Sequence, residues 1–284
     1  MSARELAADL QLALAAVAEA GEAVMRWFGG ELEVTHKAPD QPLTAADLEA
    51  DRILRERLLA GAPGYGWLSE ETADRPDRLA CDRVWIVDPI DGTRSFIARR
   101  REFAISVGLA ERGRVVLGIV SNPATGELFW ALAGGHAFGR DRAGTEGRLQ
   151  VEPAVGVRSL LASRSELAAG EFEPFRDTWK VVPVGSTAYK LARVAAGDGS
   201  GFISRGPKSE WDVCAGALLV QEAGGVVTDL HGQPLAYNRA DPYVHGIAAG
   251  SAAAHAALLA ATRDLALGSR LDPERSAAQR HRED

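Results

Sequence analysis

Cysteine is nearly absent from the 284-residue chain, which contains only Cys81 and Cys214. Their spacing excludes the paired cysteines and histidines of a structural zinc site and favours two reduced thiols in a cytoplasmic protein. No apolar run is long enough to cross a bilayer. The first 28 residues lack the basic start and continuous apolar centre of a signal peptide, and their pattern predicts an amphipathic helix. The net charge of −7 provides no positive surface for nucleic acid polymers or anionic membranes.

The composition is that of a globular protein, with 46% hydrophobic and 25% charged residues. A chain of this length can bury one large core or two modest ones, and we expect two subdomains that share a cleft. Residues 1–150 would form an N-terminal α+β subdomain with the metal and phosphate site. Residues 151–267 would form a C-terminal α/β subdomain with the leaving-group pocket and the last metal ligand. The polar tail, residues 268–284, lacks periodicity and is predicted to be disordered.

Hydrophobic periodicity separates helical from extended segments. It predicts a first helix over about residues 3–28 and a second, with Thr44 as N-cap, that ends at Gly61. From Val84 onward, short apolar or alternating runs separated by turn residues predict an antiparallel meander. After residue 150, short strands alternate with helices, which indicates helices that cover a mixed sheet. A last helix is predicted over about residues 252–267.

The segment WIVDPIDGTRSF places two carboxylates, Asp88 and Asp91, directly after a buried apolar run. After this strand, Pro89 is predicted to break the ladder and Asp91-Gly92 to form a tight turn, so that both acids face one point beyond the strand's carboxyl end. An isolated D-P-x-D-G is most simply a turn. Further acids change this interpretation: Asp47 lies in the first turn of the second helix, Glu70 and Glu71 follow a short apolar patch, and Asp212 begins a helix. Such a set of hard oxygen ligands is typical of a magnesium site.

The residues after Asp91 suit a phosphate group. Gly92 allows a phosphate oxygen to approach the backbone, and Thr93 offers both an N–H and a hydroxyl. A helical turn that begins here would direct its unpaired amides at the anion. The sequence therefore predicts a phosphate site next to the metal site.

These motifs resemble those of the inositol monophosphatase superfamily of lithium-sensitive, magnesium-dependent phosphatases. WIVDPIDGTRSF is similar to the family signature W-x-x-D-P-[ILV]-D-G-T-x-x-F, and WDVCAGALLVQEAGG is similar to its second signature, W-D-x-A-x-G followed by E-A-G-G. Cys214 stands where the family usually has alanine. TAAD, LSEE, GSTAYKLARVAAG and the closing GIAAG align in order, so that the resemblance covers about residues 5–262.

The resemblance implies an α/β fold, an alternating αβαβα sandwich of two subdomains with the site between them. It implies two or three Mg²⁺ ions, held by four carboxylates and one carbonyl oxygen: Glu70, Asp88, Asp91, Asp212 and the carbonyl of Ile90. Asp47 and Thr93, together with Glu70, would orient and activate the attacking water. Gly92 and Thr93 would hold the phosphate through their N–H groups, and Ser186 would contact the leaving group. Dimers are common in the family, so a homodimer is compatible with the resemblance.

The predicted reaction is direct, in-line hydrolysis of a small phosphate monoester by a metal-activated water, without a covalent enzyme intermediate. The absence of histidine from the motifs agrees with this mechanism. A binding protein that keeps the fold without activity is a second possibility, but every required acid is present.

The substrate is less well defined by the sequence. Pro42 before TAAD, LSEE in place of G-E-E, the SRS segment at residues 163–165 and Glu210 favour the CysQ-like nucleotidases, which act on adenosine 3′,5′-bisphosphate. DPIDGT and VAAG are equally common in inositol-phosphate and histidinol-phosphate hydrolases, and fructose 1,6-bisphosphate is a further alternative. A second phosphate would need cations, and the candidates are Arg164, Lys190, Arg205 and Lys208, each of which could instead be a solvated surface residue. We predict substrate contacts from Arg164, Arg205 and Glu210.

Overall fold

The computed structural model describes residues 3–30, 33–38, 41–153, 158–263 and 265. Its α-helices are α1 (Ala3–Trp27), α2 (Ala45–Gly61), α3 (Thr93–Ile97), α4 (Arg164–Ala168), α5 (Thr187–Ala195), α6 (Glu210–Glu222) and α7 (Ala252–Thr262). The first nine strands are β1 (Val34–Ala38), β2 (Gln41–Thr44), β3 (Gly66–Ser69), β4 (Arg83–Asp91), β5 (Ala104–Glu111), β6 (Arg114–Asn122), β7 (Glu127–Leu132), β8 (Ala137–Arg140) and β9 (Glu146–Arg148). The remaining strands are β10 (Ser159–Ala162), β11 (Lys180–Pro183), β12 (Gly201–Ser209), β13 (Val226–Thr228) and β14 (Tyr243–Gly250).

The strands form two large sheets and a hairpin. The larger sheet has seven strands in the order β3-β4-β5-β6-β7-β8-β9, in which only the β3–β4 pair is parallel. The smaller sheet has the order β11-β10-β12-β14-β13, with β10 parallel to both of its neighbours. Strands β1 and β2 form a separate antiparallel hairpin before α2. The predicted meander and the mixed second sheet are both confirmed.

Helices and sheets alternate in layers. Helices α1 and α2 cover one face of the larger sheet, α5 and α6 lie between the two sheets, and α7 packs on the outer face of the smaller sheet. This is the predicted αβαβα sandwich. The layering explains the continuous apolar run in β4, because Trp85 and Val87 point into the core beneath α1 and α2, whereas Val84 and Ile86 point into the core around α5 and α6.

Two glycines on neighbouring strands let α6 approach the larger sheet closely. Gly108 of β5 and Gly118 of β6 are direct register partners. A Cβ atom at Gly118 would lie 2.7 Å from the carbonyl oxygen of Ala215, and one at Gly108 would meet the Sγ of Cys214. The sheet therefore has no side chains at these two positions where α6 crosses it. The close packing that results fixes the position of Asp212, which lies one turn earlier in α6.

Several predicted boundaries need correction. The strand predicted to end before Pro89 continues as β4 to Asp91, while its ladder is interrupted between Asp88 and Asp91, as Pro89 predicts. The last helix ends at Thr262, five residues earlier than predicted. The predicted disordered tail lies outside the described residues. No helix in the described part of the chain is both long and apolar enough to cross a membrane.

Candidate active site

A β-bulge in β4 brings Asp88 and Asp91 to the same side of the sheet. Asp88 pairs with Ser106 and Asp91 pairs with Ala104, so β4 advances three residues while β5 advances two. In a regular strand, residues three apart point to opposite faces. The extra residue lies in the Pro89–Ile90 segment and cancels this alternation, at a point where Pro89 cannot donate to the ladder. Both carboxylates consequently project from the end of β4 in the same direction.

Glu70 and Asp212 reach this point from other elements. Strands β3 and β4 are parallel, and Ser69 pairs with Val87, so their carboxyl ends meet at one edge of the sheet. The amide of Glu70 donates to the carbonyl of Val87 (3.2 Å), which fixes Glu70 beside Asp88. Asp212 is the third residue of α6, where it forms a capping box with Ser209. The ligand oxygens of Glu70, Asp88 and Asp212 lie within 4.8 Å of one another.

Each of the three aspartates uses one carboxylate oxygen for a backbone amide. The Oδ1 of Asp88 accepts from Ile90 N (3.0 Å), the Oδ2 of Asp91 from Ala188 N (2.5 Å) and the Oδ2 of Asp212 from Ser209 N (3.1 Å). These bonds set the orientation of the carboxylates and direct the second oxygen elsewhere, as in known metal sites. The Oδ2 of Asp88 is buried and has no hydrogen-bond partner among the described residues.

The buried carboxylates of the cluster repel one another, and a cation would stabilise them. Burial, followed by the charges of neighbouring carboxylates, raises the pKa of Asp88 well above its usual value. Burial and the charges of Asp91 and Glu70 raise the pKa of Asp212 to about 8. A buried carboxylate without a partner is costly, and a divalent cation removes both the repulsion and the unsatisfied oxygen. Because all the donors are hard oxygens, the site fits Mg²⁺.

A second, smaller group couples α2 to the start of α3. The Oδ2 of Asp47 accepts from the amide (2.8 Å) and hydroxyl (2.6 Å) of Thr44. The hydroxyl of Thr93 lies 3.3 Å from the Oδ1 of Asp47 and 3.1 Å from the carbonyl oxygen of Ile90. Asp47 is thus fixed on one side by Thr44 and contacts Thr93 on the other. The structure thus brings Asp47, Thr93 and the Ile90 carbonyl together.

Gly92 lies in a closely packed turn at the start of α3. It adopts a left-handed conformation (φ 96°) as the N-cap of α3. A Cβ atom here would lie 3.1 Å from the carbonyl oxygen of Glu102 and 3.3 Å from the amide nitrogen of Ser186. The conformation and the crowding both require glycine. The Gly92–Thr93 segment therefore lies between the acidic cluster and the Ser186 loop.

Ser186, predicted to contact the leaving group, contacts Asp91 in the structure. Its Oγ donates to the Oδ2 of Asp91 (2.7 Å) and accepts from Tyr189 N (3.0 Å) as the N-cap of α5. Ser186 is buried, with φ of 62°, an unusual backbone conformation for a residue other than glycine. The geometry gives Ser186 a supporting role for Asp91.

The three predicted substrate residues after residue 150, namely Arg164, Arg205 and Glu210, have different surroundings. Arg164 makes an ion pair with Glu102, whose Oε2 also accepts from Gly185 N (3.0 Å), so Arg164 lies at the rim of the Gly92 and Ser186 site. The prediction for Arg205 needs correction, because its guanidinium contacts the backbone carbonyl of Glu171 (3.3 Å) and lines a cavity with Leu259 and Thr262 of α7. It therefore lies on the outer side of the smaller sheet, away from the acidic cluster.

Glu210 requires a correction. Its side chain has no exposed surface, and its two oxygens accept from the amides of Asn238 (2.6 Å) and Arg239 (3.0 Å). This geometry gives Glu210 the role of anchoring the 238–239 loop to α6, and it offers no free carboxylate oxygen to a substrate.

Sequence reasoning missed the support beneath Glu70. The Oδ1 of Asp51 accepts from the hydroxyl of Ser69 (2.5 Å) and its Oδ2 accepts from that of Thr72 (2.6 Å), so that the ends of the Glu70–Glu71 loop are tied to α2. Asp51 lies four residues after Asp47, on the same face of the helix. That spacing is the signal that could have identified it.

Comparisons with known proteins agree with this geometry. A model of the inositol monophosphatase family matches residues 5–266. An inositol-1-monophosphatase of Rhizobium meliloti (strain 1021) is 38% identical over 78% of this chain and 86% of its own length. A 3′(2′),5′-bisphosphate nucleotidase CysQ of Salmonella typhimurium (strain LT2) is 33% identical over 80% of this chain and 92% of its own. The crystal structure of extragenic suppressor protein suhB from Bartonella henselae superposes with a TM-score of 0.78, at 29% identity, over 90% of this chain and 99% of that one.

Proposed function

The chain belongs to the inositol monophosphatase family and is a phosphomonoester hydrolase; we propose that it uses two or three Mg²⁺ ions and acts on adenosine 3′,5′-bisphosphate. The observation that carries the metal requirement is the buried Oδ2 of Asp88, which lies unpaired among carboxylates whose oxygens are within 4.8 Å of one another. In this proposal the metals are held by the set predicted from the sequence: Glu70, Asp88, Asp91, Asp212 and the carbonyl of Ile90. When bound, Mg²⁺ supplies positive charge for the phosphate oxygens and makes a water molecule more acidic.

The protein's own residues then position the reacting groups. The Thr93 hydroxyl can donate a hydrogen bond to the Oδ1 of Asp47 (3.3 Å), and its oxygen can accept one from a water molecule. When that water gives its proton to Thr93, Thr93 would pass its own proton to Asp47, which becomes the acid. Glu70, as a metal ligand at the same edge, would help to orient that water. The backbone amides of Gly92 and Thr93 would hold the phosphate oxygens at the start of α3. The two hydrogen bonds from Thr44 hold the Asp47 carboxylate in the position that this role requires.

The nucleotide substrate is supported by a cation at the rim of the site. Adenosine 3′,5′-bisphosphate has a second phosphate that inositol 1-phosphate lacks, and arginine binds phosphate in a bidentate manner. Glu102 holds Arg164 next to Gly185 and the Gly92 segment, so the guanidinium is already ordered.

A second candidate function is hydrolysis of inositol 1-phosphate. It is favoured by the relative from Rhizobium meliloti, which is 38% identical, compared with 33% for the Salmonella nucleotidase. The two substrates differ in charge at the leaving group, so the cations of the second subdomain can distinguish them.

The deciding experiment compares kcat/KM for adenosine 3′,5′-bisphosphate, inositol 1-phosphate and fructose 1,6-bisphosphate at equal Mg²⁺ concentration. We expect the nucleotide to be preferred by at least tenfold. Arg164→Ala should lower kcat/KM for the nucleotide by about 10- to 100-fold, the range for a lost charged hydrogen bond, and for inositol 1-phosphate by less than threefold. Arg176→Ala removes a comparable ion-paired arginine elsewhere in the same subdomain and serves as the control. Equal losses on both substrates would contradict the nucleotidase assignment.

The cellular setting is part of the proposal. Cys81 and Cys214 are both free, which suits the cytoplasm. We also propose a homodimer, which size-exclusion chromatography with light scattering would reveal as about twice the 30.1 kDa mass of the chain.

A further inference from the structure

Lys190 is a fully buried cation close to the metal site. It lies on α5, one turn after Ser186, and only 2% of it is exposed. Its Nζ donates to the carbonyl oxygens of Ser186 (2.8 Å) and Val184 (3.3 Å) and lies 5.5 Å from the centre of the Phe202 ring. A buried ammonium is costly unless its hydrogen bonds serve the fold or the site. The burial also excludes Lys190 as a direct partner for a second substrate phosphate.

The two carbonyls that Lys190 binds flank a strained bend. Ser186 has a φ of 62°, and Gly185 before it is so closely packed that a Cβ atom would lie 2.5 Å from the carbonyl oxygen of Glu102. A conformation of this kind costs about 1–3 kcal/mol and persists only when surrounding contacts hold it. In the bend, the Lys190 ammonium provides two of those contacts from the inside of the loop.

The bend determines how Asp91 is held. Ser186 Oγ (2.7 Å) and Ala188 N (2.5 Å) both donate to the Oδ2 of Asp91, so Oδ1 is the oxygen that can ligate a cation. If the Ser186 carbonyl turned away from Lys190, the Oγ and amide groups of the same loop would move with it. Asp91 would then lose the contacts that set its rotamer.

The charges around Lys190 also favour a protonated ammonium at this position. Lys190 lies between Asp91 and Glu166, and the Oε1 of Glu166 also contacts Lys208 Nζ (3.2 Å) and the hydroxyl of Ser204 (2.5 Å). Burial lowers the pKa of Lys190 to about 8, and the charges of the two carboxylates act against this lowering. The ammonium therefore remains mainly protonated at neutral pH, with a carboxylate on either side.

We propose that Lys190 is a positioning residue that clamps the Ser186 bend and thereby fixes Asp91 as a metal ligand. The inference rests on the proposed metal site, but it concerns how the protein builds that site and does not depend on the substrate. Lys190 would thus affect metal affinity measurably without binding the metal itself.

The test is Mg²⁺ binding to the metal-free, full-length protein, measured by isothermal titration calorimetry. Lys190→Met keeps the length of the side chain but removes the charge and all three donors. We expect Mg²⁺ to bind about 10- to 100-fold more weakly, the range seen when groups that support a metal ligand are removed. Lys190→Arg retains charge and donors and should bind Mg²⁺ within about fivefold of the wild type.

A control variant separates positioning from a general effect on stability. Arg83→Met removes a mostly buried cation, bonded to Glu111 (3.1 Å), at the opposite end of β4 from Asp88. It should lower the melting temperature in EDTA without changing the Mg²⁺ affinity. Lys190→Met should change both. If Lys190→Met lowers only the melting temperature and binds Mg²⁺ like the wild type, the positioning role is wrong.

A milder variant covers the case in which Lys190→Met does not fold. Lys190→Gln retains one donating group, and it can be combined with Ser186→Ala, which removes the Oγ bond to Asp91. If Lys190 acts through Ser186, the double variant should bind Mg²⁺ no more than about threefold more weakly than the worse single variant. Independent, multiplicative losses would contradict the clamp. A wild-type protein that binds Mg²⁺ but hydrolyses no phosphate ester would contradict the proposed function, while the comparison of Lys190 variants would still be decided.

Discussion

Replacing Thr93 by valine tests the proposed catalytic group most directly. The substitution retains the shape of the side chain and removes only the hydroxyl that lies 3.3 Å from Asp47 and 3.1 Å from the Ile90 carbonyl. Asp47 keeps its two bonds from Thr44, so its position should not change. The backbone amides of Gly92 and Thr93 also remain. The variant therefore separates proton transfer from phosphate binding.

The expected magnitude follows from the role assigned to the hydroxyl. Positioned acid and base groups contribute about 10²- to 10⁴-fold to rate. Since Thr93 connects to Asp47 through one hydrogen bond, we expect Thr93→Val to lower kcat by about 100- to 1000-fold, or roughly 3–4 kcal/mol in the barrier. KM should change by less than threefold, because the groups that bind phosphate are intact. Thr93→Ser keeps the hydroxyl and should retain activity within about fivefold.

A double-mutant cycle then asks whether Thr93 and Asp47 act as one unit. Phosphate release is measured at saturating Mg²⁺ and substrate for Thr93→Val, Asp47→Asn and the double variant. Residues that act together give strongly non-additive losses, so the double variant should be within about threefold of the worse single variant. If the two losses multiply, or if Thr93→Val retains more than about a third of the wild-type kcat, the proposed proton path is wrong.

Three further predictions concern the metal and the fold. Asp91→Asn should lower kcat/KM by at least about 100-fold. The circular dichroism spectrum should stay unchanged, because the amide oxygen can still accept the hydrogen bonds from Ser186 and Ala188. Near-wild-type activity would show that Asp91 is not a metal ligand. Gly118→Ala should lower the free energy of unfolding in urea by about 1–3 kcal/mol because its Cβ would meet the carbonyl of Ala215, whereas Gly147→Ala, with open space around it, should change it by less than about 0.5 kcal/mol. The pKa of Glu127 is lowered, because two hydroxyl hydrogen bonds and an arginine outweigh the effect of burial, which raises it. The charge of Glu127 therefore stabilises the fold above the pKa of about 4.5 in the unfolded chain, and this contribution is lost as pH falls through the lower pKa of the folded state. Glu127→Gln should lower the free energy of unfolding by about 1–3 kcal/mol at pH 7 and by little at pH 3, and a difference that does not change with pH would contradict the assignment.

The sequence predicted the secondary structure well where the signals are local. Thr44 as N-cap and Gly61 as the end of the helix agree with α2, since both depend on residues within one or two turns. The alternating runs after Val84 agree with strands β4 to β8 for the same reason. The strand extends past Pro89 because the proline is accommodated in a bulge that interrupts the ladder, which depends on the pairing with β5.

The acidic motif shows the same contrast between what local sequence signals and what strand pairing determine. The sequence identified Asp88 and Asp91 as candidate ligands, but in a regular strand residues three apart point in opposite directions. Only the observed register, with one extra residue in β4, brings them to one side. Likewise, Glu210 resembled a substrate residue by its place before Trp211, and the fold instead buries it against the amides of the 238–239 loop.

The sequence by itself determined the types of elements, the ligand chemistry and the family, because periodicity, caps and short motifs depend on residues that are neighbours in the chain. Tertiary structure alone decided which side chains meet. Glu70, Asp88 and Asp212 are separated by up to 142 positions and converge only through the β3–β4 pairing and the close packing of α6 on Gly108 and Gly118. The partner of each buried charge, Lys190 included, depends on distances that no local pattern encodes.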